Sequence, residues 1–453
     1  MREFQSLFPW NQELIAKYPL LSEKELEERV SASALAFTQW KNKSFFRRGD
    51  ILKNVAALLR RDEEALATLI SREMGKVIAE SRAEIEKCAW VCEYYAEHAG
   101  GFLQDEIQEA GYRKSLISYQ PIGAVLAIMP WNFPFWQVFR FAAPTLMAGN
   151  VCLLKHAPNV CGCSLAIEKL FLEAGAGTGV FTSLIIDVPE VKKIISAPFV
   201  QAVTLTGSER AGSSVAALAG KHIRKSVMEL GGSDPLLVLA DADINKAAAV
   251  AIQSRMQNAG QSCIAAKRFI VVKEAEDAFL HALLTELKKL KQGNPFEAGI
   301  TTGPVARPDL ADHIQKQIQA SVQKGASLVF GGKADGCNVM PALITGVQKG
   351  MPAYEEETFG PLAVVITAKN EEDAIRLAND SKFGLAGSIW TRDLEKGIAL
   401  AKKMESGAVF INSLVKSDPR LPFGGIKQSG YGRELGTHGI REFVNIKTIA
   451  GDS

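Results

Sequence analysis

Four short stretches of this sequence hold residue types able to do chemistry at a carbonyl carbon. Gly260-Gln-Ser-Cys263 sets a cysteine just after an expected helix and a glycine turn. A thiolate there gains from free backbone N–H groups and can act as a nucleophile, while a small buried side chain is the competing reading. Glu229-Leu-Gly-Gly-Ser-Asp-Pro235 puts a carboxylate at a strand end before two glycines. A cleft forms at such points in α/β folds, and a general base there is one reading; a surface glutamate at a turn is the other. Pro130-Trp-Asn132-Phe-Pro134 places one amide in a very apolar stretch. If buried, Asn132 needs hydrogen-bond partners, and its amide can hold an oxyanion. Ala202-Val-Thr-Leu-Thr206-Gly207-Ser208 reads as strand, glycine, hydroxyl and helix start. Backbone N–H groups at a helix N-terminus bind phosphate, and Gly207 permits close approach. It is not the G-x-G-x-x-G fingerprint, and Ser208 as an ordinary N-cap also accounts for it.

The elements that must position these residues follow from hydrophobic periodicity. Residues 24–99 carry apolar side chains at helical spacing, among them Ile51, Val55, Leu58 and Leu59, and Gly100-Gly101 is expected to end that block. From about residue 117 short apolar runs take over, at 124–129, 151–154, 183–187 and 202–206. A second series lies at 235–240, 269–272, 328–331, 362–367 and 409–412. Helical patterns at 244–256, 276–290, 371–379 and 394–404 separate them. Apolar strands alternating with helices predict two α/β domains, each a parallel sheet covered on both faces, meeting near 230–234. The expected division is 1–104 with 121–230, then 231–430, with 105–120 and 431–453 as separate segments. Two strand-like pieces, 113–120 and 442–450, fit neither sheet. They form either a local two-stranded ribbon or a pairing across a subunit interface, and the instability of a short isolated ribbon favours the latter.

Length and composition bound the rest. With 453 residues, 47% hydrophobic and 23% charged, the chain supplies large cores and is neither disordered nor fibrous. Fifty-two basic against 50 acidic residues leave a net charge of +2, so nothing calls for nucleic acid. Seven scattered cysteines and no signal-peptide core predict a cytoplasmic protein with reduced thiols. The uncharged run at 115–139 is broken by Pro121, Gly123, Pro130 and Pro134 and is expected to be buried strand and loop, not a membrane span. Cys152, His156, Cys161 and Cys163 lack the paired spacing of a zinc site, so no metal is expected.

Together and in this order, the motifs resemble the aldehyde dehydrogenase superfamily over nearly the full length. The matches are residues 130–134, Lys155, 206–208, 229–232, 260–263, Glu356-Glu357-Thr-Phe359-Gly-Pro361 and 422–434. The resemblance implies two Rossmann-like α/β domains with a small β oligomerisation element and a homo-oligomer, dimer or tetramer. It implies Cys263 as nucleophile, Glu229 as general base and Asn132 as oxyanion donor. Lys155 would hold the adenosine ribose and Gly207 and Ser208 the pyrophosphate. Glu357 would face the nicotinamide ribose and Phe359 the nicotinamide end, with Trp131 and Leu230 lining the site. NAD-selective members usually have a glutamate where this chain has Pro158. A carboxylate there would repel a 2′-phosphate, so its absence leaves NAD and NADP both open.

Within the family the closest resemblance is to the bacterial succinate-semialdehyde branch, through Arg140, 129–134, 155–159 and 265–268. A guanidinium gripping a far carboxylate would select an ω-oxo acid. Arg140 is the first candidate, Arg255 the second and Ser417 a hydroxyl donor. The alternative for Arg140 is a protein carboxylate as partner. A thiol hydrolase would need a positioned histidine, a CoA-acylating enzyme has no use for Glu229 as water activator, and a non-catalytic relative need not keep Cys263, Glu229 and Asn132 together. Other ω-oxo acids, such as glutarate semialdehyde, and a broader specificity remain open.

Overall fold

The computed structural model describes residues 2–452. Its first sheet runs in the order Gly430–Tyr431, Lys225–Glu229, Val200–Thr206, Ala124–Met129, Val151–His156, Phe181–Ser183 and is parallel except at the Gly430–Tyr431 edge. Its central strands are apolar on both faces because helices cover both, and Ala124–Met129 is buried save for Ile128. The second sheet runs Ser327–Phe330, Ala342–Thr345, Leu362–Ala368, Ala266–Val272, Asp234–Val238, Ala386–Trp390, Ala408–Ile411, with Ser327–Phe330 antiparallel. Each sheet anchors its own apolar core. The chain leaves the first sheet at Glu229 and enters the second at Asp234, so Leu230 to Ser233 cross between them.

The amino-terminal helices are Glu23–Trp40, Phe45–Arg61, Glu63–Met74 and Ile78–Phe102. Ser22 and Glu25 close a capping box on the first, and Gly75 ends the third in the left-handed conformation. The fourth helix departs from expectation, continuing through Gly100 and Gly101 to Phe102. Burial of Tyr95 and Ala99, with the Tyr95 hydroxyl donating to the Gly436 carbonyl, holds the final turns against the glycine preference. The run at 183–187 is likewise strand only as Phe181–Ser183; Asp187 caps the next helix, Val188–Ser196, by accepting from the Val188 N–H. Three strands, Lys225–Glu229, Ala342–Thr345 and Ala386–Trp390, and the hairpin Glu3–Leu7 with Leu14–Pro19 add to those expected.

The two leftover strand pieces pair with each other inside the chain. Val444–Gly451 lies antiparallel to Lys114–Pro121 in unbroken register, and Glu106–Ile107 adds to the far side. Of the two readings of these pieces, a local ribbon or a pairing across a subunit interface, the favoured one does not include this intrachain pairing. The uncharged run at 115–139 divides into strand Lys114–Pro121, strand Ala124–Met129 and the start of helix Trp136–Met147. No helix among the described residues is long and apolar enough to cross a membrane.

Candidate active site

Cys263 ends an unusual loop. Asn258 (φ 53°), Ala259 (φ 51°) and Gly260 (φ 74°) are consecutive left-handed residues, a conformation that costs a non-glycine residue on the order of 1–3 kcal/mol. Surrounding groups compel it. The Asn258 N–H donates to both Glu80 carboxylate oxygens, and Asn258 Nδ2 donates to the Asn132 carbonyl at 2.7 Å. Gln261 donates to the Asn258 carbonyl and accepts from the Ala306 N–H. A Cβ at position 260 would strike the Gly360 carbonyl, so glycine is required on contact as well as conformation. Below the loop, the buried Lys267 ammonium donates to the Ser262 and Cys263 carbonyls (3.0 and 2.7 Å) and pairs with Glu357 at 3.0 Å.

The thiol is partly buried between two cavities and lines both. The first, about 350 Å³, is walled by Phe133, Trp136, Phe423 and Val415, with Glu80, Glu84, Lys87, Arg140, Lys416 and Ser417 among its polar members. The second, about 360 Å³, is walled by Trp131, Asn132, Thr206, Gly207, Ser208, Leu230, Glu357 and Phe359. Burial pushes the Cys263 thiol up to about 11, opposed by the charges of Arg140 and Lys267. Asn132 is 3% exposed, and its Nδ2 donates to the Gln261 carbonyl at 3.0 Å. One Nδ2 hydrogen therefore remains for a ligand. The other six cysteines are buried with no disulfide among them, and no group of three His, Cys, Asp or Glu side chains able to hold a metal occurs among the described residues.

Glu229 is 2% exposed and neither carboxylate oxygen has a hydrogen-bond partner. Burial raises it well above the usual carboxylate range; Glu434 adds to the rise, and Arg140 and Arg433 oppose it. It lines neither cavity. Its Oε1 lies against Gly424, where a Cβ would come within 2.7 Å. Burial thus favours the protonated form of this carboxyl, which lies outside both cavities that Cys263 lines.

The second cavity fits a dinucleotide. Strand Val200–Thr206 leads to helix Glu209–Lys221, whose N-cap Ser208 accepts from the Ala211 N–H at 3.3 Å. Gly207 has no positive φ, and a Cβ there would meet only Leu205 at an ordinary 3.5 Å. The chain itself does not demand glycine at 207, and a phosphate seated on the helix N-terminus would. A Cβ at 212 would press on the Leu230 side chain and one at 231 would lie 2.6 Å from Glu357 Oε2, so either would make that side chain shift. Trp131 and Phe359 meet edge to face at 5.8 Å and form an aromatic wall. Lys155 and Pro158 lie outside this cavity. Lys155 is in strand Val151–His156, and Pro158 opens the short turn Pro158–Val160 that follows it. Burial lowers the Lys155 pKa and no side-chain partner meets its ammonium among the described residues.

The three expected substrate residues fare differently. Arg140 lines the first cavity, but its Nε pairs with the buried Glu434 carboxylate and its guanidinium stacks on Phe423 at 4.4 Å. The expectation for Arg255 is corrected: it lines neither cavity, and it donates to the carbonyls of Leu362, Gly260, Thr358 and Gly360. It is a staple between the Cys263 loop and the Glu357–Phe359 segment. Ser417 lines the first cavity and accepts from Lys87 Nζ at 2.9 Å and Trp136 Nε1 at 3.0 Å. Sequence reasoning missed Lys87, Glu80 and Lys267. The signal for the first two was there: Glu80, Glu84 and Lys87 recur at helical spacing on the face that Ala79 and Ala83 share, an unusual charge stripe toward a core.

The family model described as "Aldehyde dehydrogenase family" matches residues 1–449. The chain is 47% identical over 431 residues to a probable succinate-semialdehyde dehydrogenase [NADP(+)] of Synechocystis sp., covering 94% of this chain and 95% of that one. It is 42% identical over 450 residues to a succinate semialdehyde dehydrogenase [NAD(P)+] of Escherichia coli, covering 99% and 97%. The crystal structure of succinic semialdehyde dehydrogenase from Streptococcus pyogenes in complex with NADP+ superposes with a TM-score of 0.97 at 38% identity, covering 99% and 100%.

Proposed function

The chain belongs to the aldehyde dehydrogenase family, and from that premise we propose that it oxidises succinate semialdehyde to succinate with NAD or NADP as acceptor. The observation that carries the substrate is the cavity beside Cys263. Its wall combines apolar side chains with three cations, Lys87, Arg140 and Lys416, against two carboxyls, Glu80 and Glu84, and the Ser417 hydroxyl. A site that desolvates a carboxylate must pair it, or the buried charge costs several kcal/mol.

In this reading the Cys263 thiol loses its proton to solvent, the thiolate sulfur bonds to the aldehyde carbon, and the carbonyl oxygen takes the negative charge. Asn132 Nδ2 and the Cys263 N–H hold that oxyanion, each donor being worth about 3 kcal/mol. The bound nicotinamide supplies a hydride acceptor. Loss of hydride leaves a thioester on Cys263. Glu229 gives its proton to solvent as it turns in from its seat by Gly424, and the resulting carboxylate takes a proton from the attacking water. The hydroxide adds to the thioester carbon, the C–S bond breaks, and the acid and the free thiol are released. Around the cofactor, Gly207 and Ser208 would receive the pyrophosphate, Glu357 the nicotinamide ribose and Lys155 the adenosine end, with Trp131, Leu230 and Phe359 as walls. Pro158 presents no carboxylate against a 2′-phosphate, which supports use of NADP. The fully exposed strand from Asn445 to Gly451 supports a homo-oligomer, and seven free thiols support a cytoplasmic setting.

An aldehyde panel tests the reading. Succinate semialdehyde, glutarate semialdehyde and butanal are each run with NAD and with NADP, following absorbance of the reduced cofactor. The highest kcat/KM is expected for succinate semialdehyde. Equal rates for butanal would overturn the substrate assignment, and Cys263→Ala retaining turnover would overturn the mechanism.

A further inference from the structure

Lys267, the second residue of strand Ala266–Val272, is 1% exposed and lines neither of the cavities beside Cys263. It stands behind their walls. Its ammonium carries three protons, and three acceptors meet it: the Ser262 carbonyl at 3.0 Å, the Cys263 carbonyl at 2.7 Å and Glu357 Oε1 at 3.0 Å. A buried ammonium needs a counter-ion as well as acceptors. Two carboxyls bear on it, Glu357 and Asp234. Asp234 accepts the Ala386 N–H on Oδ1, and burial pushes it up to about 7, toward the neutral form. Glu357 is the one in ion-pair contact.

Glu357 is held asymmetrically. Oε1 takes both Lys267 and the Gly232 N–H, the latter at 3.1 Å, and Oε2 has no partner among the described residues. The side chain borders the cavity that fits a dinucleotide, and the glycine at 231 leaves the space in which Oε2 sits. Glu357 lies between helix Pro352–Glu355 and strand Leu362–Ala368, outside regular structure, so the backbone alone does not fix its carboxylate. One oxygen is thus anchored to the Cys263 loop while the other is left to accept from a hydroxyl in the cavity.

We propose that Lys267 is a positioning residue for the dinucleotide: it fixes Glu357 by one oxygen so that the other meets the nicotinamide ribose, and the same ammonium ties that contact to the backbone of Cys263. This rests on the reading of Glu357 as the ribose contact. It gives a buried cation that reaches no ligand a role in binding one.

Isothermal titration calorimetry without aldehyde tests it, using NADP+ and adenosine 2′,5′-bisphosphate, which has the adenosine end but no nicotinamide ribose. Lys267→Met and Glu357→Ala should each weaken NADP+ binding about tenfold or more, the loss of a hydrogen bond to a charged group. Both should bind the bisphosphate as wild type does. Because Lys267 acts through Glu357, the double variant should bind NADP+ no more weakly than the weaker single one. Wild-type NADP+ affinity in Lys267→Met alongside a loss in Glu357→Ala would overturn the proposal. Equal losses on both ligands, or losses that add in the double variant, would do the same, since a merely structural lysine gives those results. Wild-type affinity in Glu357→Ala is a separate result that overturns the ribose reading and the proposal with it. Should Lys267→Met fail to fold, Lys267→Gln, which keeps a donor for the two carbonyls but not the charge, decides by the same criteria.

Discussion

At Cys263 burial and neighbouring cations pull the thiol in opposite directions, and burial wins, leaving its pKa at about 11. The thiolate is the reactive form. Alkylation of Cys263 by iodoacetamide in the cofactor-free protein should therefore rise about tenfold per pH unit from 7 to 10. Mass spectrometry of the labelled cysteine reads this directly, and a plateau near pH 8 would show a thiolate stabilised beyond what Arg140 and Lys267 supply. The second residue-scale expectation concerns Glu229. Glu229→Gln keeps the shape but removes the base, so a burst of reduced cofactor of roughly one per site should precede very slow turnover. Stopped-flow absorbance checks it; an unchanged steady-state rate removes Glu229 from the role. Cys263 and Asn132 each sit in a short local motif, and the structure brings both to one cavity, while Glu229 lies outside it. The roles of the cations were not legible in the sequence. Whether a guanidinium meets substrate or protein depends on partners more than a hundred positions away, as Arg255 with Thr358, Gly360 and Leu362 and Arg140 with Glu434 show.

The elements that hold the site are short and tied by side chains more than by regular structure. Arg255 joins the end of helix Ile244–Met256 to the segment carrying Glu357 and Phe359 through three carbonyls, and to the Cys263 loop through a fourth, that of Gly260. Arg255→Met would leave those buried acceptors unsatisfied, a loss of at least about 3 kcal/mol. The unfolding midpoint in urea should fall, and kcat/KM should drop alike for succinate semialdehyde and butanal. A selective loss on the semialdehyde would return Arg255 to substrate binding. Helices with clear periodicity, such as Ile244–Met256 and Glu371–Asn379, could be read to the residue. Strands with weak patterns could not. Ala386-Gly-Ser-Ile-Trp390 is wholly buried between two neighbours, and small residues there serve packing: a Cβ at Gly387 would crowd the Pro235 carbonyl at 3.1 Å. Lys225–Glu229 begins with an exposed lysine and reads as a turn until its partner Val200–Thr206 is in place.

At the scale of the molecule, alternating apolar strands and helices announced two parallel sheets, because only covered sheets tolerate such strands. The pairing of the two leftover segments was not decidable from sequence, since a ribbon within one chain and one between chains share the same pattern. The structure joins them within the chain, yet Val444–Gly451 remains an edge strand, exposed along every residue from Asn445 to Gly451, with Ile446 and Ile449 at 59% and 45%. A free edge with apolar side chains on both faces is the kind of surface that recruits another strand or sheet. Removing residues 444–453 should therefore shift the particle to a smaller mass in size-exclusion chromatography with light scattering. Because that deletion also strips Lys114–Pro121 of its partner, Ile446→Asp with Ile449→Asp is the cleaner variant. It leaves the ladder hydrogen bonds to Tyr119 and Leu116 in place and puts two charges where a neighbour would pack. The double substitution should dissociate the particle while the far-ultraviolet circular dichroism stays unchanged. If it leaves the mass as it was, this strand lies outside whatever interface the protein uses.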